Sequence, residues 1–169
     1  MITVIGYCLT FMPKTILLVV GKTVSAQLQT MIDDYVGRIV HFTPFNVEVV
    51  PELKNAKSLT QEQQKTMEGK ALLAKLKPGD HVVLLDERGR QYSSLDFARY
   101  VTQRQSLSSQ RVVFVVGGPY GFSKEVYNRA DDKLSLSPMT FSHQMIRLLF
   151  VEQYYRALTI INHLPYHHE

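Results

Sequence analysis

The chain has 169 residues, 45% of them hydrophobic, enough to bury one full core but cramped for two. Lys and Arg number 19 against 15 Asp and Glu, a modest excess that suits a polyanionic partner but is also common among small cytosolic proteins. The only cysteine is Cys8, which excludes an internal disulfide and fits a reducing compartment, the cytoplasm.

Residues 1–12 (MITVIGYCLTFM) are apolar, but they lack the basic start and cleavage site of a signal peptide and are too short to span a bilayer. Residues 1–14 read as an N-terminal extension and 15–169 as a single domain. Thr15 to Val20 (TILLVV) is an apolar run with strand character, and residues 26–40 place Leu28, Ile32, Tyr35, Val36 and Ile39 at helical spacing. Residues 46–53 read as a valine-rich strand. Thr60 with Gln63 forms a capping-box pattern that opens a polar helix to about Leu76. After the Pro78-Gly79 turn, residues 81–85 (HVVLL) form a strand ending in Asp86, and Ser93 with Asp96 caps a helix carrying Phe97 and Val101. Residues 111–116 (RVVFVV) are the strongest β stretch, closed by Gly117-Gly118-Pro119-Tyr120-Gly121. Ser123 caps a short helix, 133–136 is a short strand, and the last helix is expected over 142–161, followed by a tail containing Pro165.

Alternating helices and solidly apolar strands predict an α/β fold, an open parallel sheet with helices on both faces and ligands at the strand carboxyl ends. In the last helix, Leu148-Leu149-Phe150-Val151 covers most of the circumference at about 100° per residue. One sheet cannot bury that, so a second subunit is expected to cover the other face.

Gly21-Lys22-Thr23 resembles the end of a phosphate-binding P-loop, but Ile16 stands where the first glycine belongs. The GGPYG segment lacks the G-x-G start of a dinucleotide fingerprint, and Pro119 removes a backbone donor. Taken alone, it is either a tight turn needing positive φ or a side-chain-free approach for a flat ligand such as adenine. His163, His167 and His168 have no cysteine or fixed carboxylate beside them to complete a metal pattern, so no metal is expected. His143 with Arg147 and Glu152 with Arg156 lie four residues apart on helix faces, a spacing that ordinary surface pairs also use.

More specific is an ordered combination. It comprises Leu85-Asp86-x-x-Gly89, the GGPYG loop, the run Ser135 to His143 (SLSPMTFSH), the segment Val151 to Ala157 (VEQYYRA) and the ending Pro165-Tyr166-His167-His168-Glu169. From Thr15 onwards it resembles the RlmH family of SPOUT methyltransferases. The resemblance implies a trefoil-knotted α/β fold, a homodimer, S-adenosylmethionine as methyl donor, and N3 of a pseudouridine in a 23S rRNA hairpin as acceptor. It implies a cofactor pocket of Leu85, Gly117, Leu136, Ser137, Pro138, Met139, Thr140 and Phe141. It also implies a tail that closes over the substrate site, with His167 as first candidate for the base, Tyr166 orienting or stacking on the nucleobase, and Arg147 or Arg156 stabilising developing negative charge. His168 stands where the family usually has Arg or Lys. With no appended RNA-binding module, the dimer is expected to recognise folded rRNA in a ribosomal particle, both subunits contributing to one substrate site. A non-catalytic RNA-binding domain would explain the charge and the tail, but would not require a pocket built from three loops.

Overall fold

A computed structural model of the protein describes residues 14–107 and 110–168. The expected N-terminal extension therefore lies outside the described residues except for Lys14. The elements run β1 (Thr15–Val20), α1 (Ala26–Ile39), β2 (Phe45–Val50), α2 (Gln61–Leu73), β3 (His81–Gln91), α3 (Ser94–Leu107), β4 (Val112–Val116), α4 (Lys124–Arg129), β5 (Asp132–Ser135) and α5 (Met145–Ile161). All strand pairs are parallel, in the order β2-β1-β4-β3-β5.

The period-two geometry of a strand sorts the core into two halves. Leu17, Val19, Val112, Phe114 and Val116 face one way, towards α1, α3 and α5. Ile16, Leu18, Val113 and Val115 face the other, towards α2 and α4. Both faces of β1 and β4 are covered, which is why their sequences are apolar without alternation. Each such side chain is worth about 1.5–3 kcal/mol on full burial. Phe150 and Tyr154 of α5 pack on Phe114, with ring centroids 4.7 and 5.8 Å away.

Local chemistry sets the element ends. Ser25 caps α1 by accepting from the Leu28 N–H, and Thr60 and Gln63 form the full reciprocal capping box of α2. Strand β2 stops at Val50, short of the expected Leu53, because Pro51 follows and has no N–H to donate. Helix α2 ends at Leu73, not Leu76, tightening into turns in which Lys75 and Leu76 donate to the carbonyls of Leu72 and Leu73. Helix α5 begins at Met145, not 142, and Ser142 supplies its hydroxyl to the Met145 N–H at 3.1 Å.

Strand β3 is longer than its apolar run predicts. Leu85 and Arg90 both pair with Leu134, so residues 86–89 bulge out and the strand resumes to Gln91. The turn is fixed by Asp86, whose carboxylate accepts from the Arg88 N–H at 2.8 Å. Gly89 passes so close to β5 that a Cβ would sit 2.6 Å from the Leu134 carbonyl carbon. That close approach is the physical reason for the glycine in Leu85-Asp86-x-x-Gly89.

Candidate cofactor cavity and the C-terminal tail

At the bulge of β3 and the carboxyl ends of β4 and β5 lies a cavity of about 1190 Å³. Of the expected cofactor residues, Leu85, Gly117, Leu136, Ser137, Met139, Thr140 and Phe141 line it, whereas Pro138 does not. The loop after β5 is braced from within. Ser135 Oγ donates to the Ser137 carbonyl at 2.8 Å, and Ser137 Oγ accepts from the Met139 N–H at 2.9 Å. Thr140 ties this loop to the β3 bulge by donating to Glu87 at 2.5 Å. Gly121 has φ 81° and donates to the Gly118 carbonyl, which is a tight turn, and the same loop walls the cavity. A Cβ on Gly117 would lie 3.1 Å from Phe122 Cε1 and 3.3 Å from Gly121.

Several lining residues carry no motif in the sequence. The first turns of α2 contribute Gln61 and Lys65, the β3 bulge contributes Arg88, and the start of α5 contributes Ile146, next to His143 at the end of the SLSPMTFSH run. Tyr127 of α4 also lines the cavity and donates to Asp86. Burial lowers the proton affinity of His143, reinforced by the neighbouring Arg147 charge and opposed by Glu52. A neutral imidazole therefore faces the cavity at neutral pH, and it is the only histidine among the described residues that line it.

Arg147 is buried at 2% exposure, and its donors are committed to backbone. It donates to the Val20 carbonyl at 2.6 Å, the Gly21 carbonyl at 2.9 Å and the His143 carbonyl at 3.0 Å, with Thr23 Oγ1 at 3.2 Å. Gln144 adds bonds to Lys22 and Val24. The start of α5 is thereby clamped to the end of β1. Burial lowers the Arg147 proton affinity, partly offset by Glu52.

The structure does not bring Tyr166, His167 or Arg156 to the cavity of their own chain, since none of them lines it. His163 adopts φ 55° just past α5, and the N–H groups of His163 and Leu164 return to the carbonyls of Ile160 and Thr159, a Schellman-type ending with histidine in the usual glycine position. The tail then folds back onto α5. The Tyr166 hydroxyl donates to Glu152 at 3.0 Å, its ring packs on Tyr155 at 4.9 Å, and the Arg156 guanidinium covers it at 4.8 Å. Arg156 also pairs with Glu152 at 2.6 Å. Burial, with hydrogen bonds to Tyr35 and Glu152, pushes the Tyr166 hydroxyl pKa upwards. Along α5, ten residues separate Ile146 of the cavity from Arg156, about 15 Å at 1.5 Å per residue.

An open parallel sheet with a cavity at its strand carboxyl ends defines a ligand-binding α/β class, the cavity standing where such sheets take their ligands. The chain belongs to the SPOUT methyltransferase family: the family described as "Predicted SPOUT methyltransferase" matches residues 13–167. It is 57% identical over 156 residues to the ribosomal RNA large subunit methyltransferase H of Bacteroides fragilis, covering 92% of this chain and 99% of that protein. The protein of the same name from Porphyromonas gingivalis is 53% identical over 156 residues, with 92% and 99% covered. That from Christiangramia forsetii is 51% identical over 152 residues, with 90% and 97% covered. The chain is therefore a methyltransferase, which requires a methyl donor. No helix among the described residues is long and apolar enough to cross a membrane, and no group of three or more His, Cys, Asp or Glu among them could hold a metal ion.

Proposed function

We propose that this chain transfers a methyl group from S-adenosylmethionine to N3 of a pseudouridine in 23S rRNA, on the ribosome or its large subunit in the cytoplasm. The observation that carries the reading is the cavity itself. The β3 bulge and the loops after β4 and β5 combine apolar walls with a backbone approach at Gly117 and Gly118, and a volume of about 1190 Å³ admits a nucleoside with an amino-acid arm. The relatives named as large-subunit rRNA methyltransferases supply the substrate class.

The donor supplies an activated methyl on a sulfonium, and the protein's part is to bind, align and exclude water. Leu85, Leu136, Met139 and Phe141 offer the apolar contacts for the adenine ring. Backbone groups around Gly117 and the 136–141 loop offer its hydrogen bonds. The acceptor imide must lose a proton, so a base or an anion-stabilising donor contributes. His167 and Tyr166 take the substrate side from the partner subunit of a homodimer, since neither lines the cavity of its own chain. Leu149, half-buried and outside the core of its own chain, with exposed Met145 one turn earlier, offers an apolar stripe for that contact. Residues 15–169 act as a single domain. Arg156 flanks the substrate from the tail side, while Arg147 holds the frame. His143 is a second candidate for the base, because it faces the cavity as a neutral imidazole.

Calorimetry with S-adenosylmethionine tests the reading: micromolar binding at one site per chain is expected, and absence of binding would favour a non-catalytic RNA-binding domain.

A further inference from the structure

Glu68 is only 5% exposed on the inner face of α2. Its Oε1 accepts from Gln64 Nε2 at 2.8 Å, while its Oε2 has no hydrogen-bond partner. An unpartnered buried carboxylate oxygen is costly, and an apolar side chain there would avoid the cost. Directly opposite is Gly118, where an added Cβ would overlap the carboxylate. Gly118 also lines the cavity. The carboxylate therefore lies one backbone thickness from the cavity, behind a residue that has no side chain to intervene. Among the described residues no cation pairs with it: Lys65, one turn earlier, is bonded to Glu62 at 2.8 Å, and Arg147 is committed to β1. The charged group that bears on Glu68 from another element is Glu52, also an acid.

We infer that Glu68 is the anionic counter-charge of the cavity and makes it prefer a cationic sulfonium ligand over the corresponding neutral thioether. The inference rests on the proposed donor. S-adenosylmethionine carries one positive charge more than S-adenosylhomocysteine, the product left after methyl transfer. A charge held behind the cavity wall, in a medium less polarisable than water, acts on that difference and on little else, because the two compounds share every other group. The gain lies in donor capture and product release. It does not lie in the chemical step, in which the positive charge disperses. Glu68 touches no reacting atom and is a specificity-determining residue.

The test is calorimetric titration of the parent protein and of Glu68→Gln with S-adenosylmethionine and S-adenosylhomocysteine separately. The variant keeps the shape and the acceptor oxygen for Gln64. Its donor affinity is expected to fall on the order of tenfold while product affinity stays within about twofold, collapsing the ratio between them. Equal loss for both compounds would mean that Glu68 only shapes the loop, and an unchanged ratio would overturn the inference as well. If the Gln variant fails to fold, Glu68→Met is titrated in the same way and judged by the same ratio. A parent that binds neither compound overturns the donor assignment together with this inference, whereas a parent that binds both and a variant with the same ratio removes this inference alone.

Discussion

The Tyr166 hydroxyl donates to Glu152 at 3.0 Å, and this contact folds the tail back along α5 and away from the cavity of its own chain. The side chains drawn together there, Tyr35, Tyr155, Arg156 and Tyr166, form one aromatic and ionic cluster whose members come from α1, α5 and the tail. Such a cluster holds Tyr166 fixed against α5.

Removing the chain from Pro165 onwards should leave donor affinity within a few fold, because none of the described tail residues lines the cavity. Methylation of ribosomes should collapse. His167→Ala should lose about 10²- to 10⁴-fold if the imidazole takes the proton. Mixed dimers of a tail-truncated chain with a cavity-blocked chain should regain activity, since one complete site can form between them. No recovery in verified mixed dimers would place tail and cavity in the same chain after all.

Arg147→Met should destabilise the fold by about 2–3 kcal/mol, because the carbonyls of Val20 and Gly21 lose charge-assisted donors inside the protein. Thermal unfolding measures this. If Arg147 instead stabilised developing negative charge at the acceptor, as the resemblance implies, the variant would melt like the parent and only its methylation rate would fall.

Gly117→Ala tests the cavity wall with the smallest possible probe. Its Cβ would press on Phe122 at 3.1 Å and on Gly121 at 3.3 Å, so the turn must shift by a few tenths of an ångström. A folded variant with about tenfold weaker donor binding is expected, about 1.4 kcal/mol. Unchanged affinity would move the cofactor away from this strand end.

Burial raises the Glu68 pKa, opposed by the bond from Gln64 and reinforced by Glu52. The folded state therefore holds this proton more tightly than the unfolded chain, whose glutamates titrate near about 4.3. Stability from this group is fully present below that value and is lost as pH rises through the folded pKa. Glu68→Gln has no such proton to lose. Its melting temperature relative to the parent should climb with pH above about 4 and then level off. A difference independent of pH would mean that the carboxyl is not perturbed by burial.

Much of this was legible in the sequence because strand burial and helix capping are local. The apolar runs at 15–20 and 111–116 placed β1 and β4 within a residue, and the capping box at Thr60 placed the start of α2. The bulge after Leu85 was not legible, since it depends on how closely β5 passes Gly89. Glu68 was hidden for a related reason: α2 looks polar on most sides, and only its contact with Gly118 shows which acid is buried. The clamp role of Arg147 needed the position of the β1 carbonyls, which are far away in sequence. The trefoil knot that the resemblance implies has no periodic signature.

The most direct test supplies the protein with radiolabelled S-adenosylmethionine and large ribosomal subunits that lack the modification, in two preparations carrying either pseudouridine or uridine at the target. The account predicts about one methyl group per particle, located at N3 of the pseudouridine, with little transfer to the uridine particles. Binding of the donor without transfer to either particle, or equal transfer to both, would contradict it.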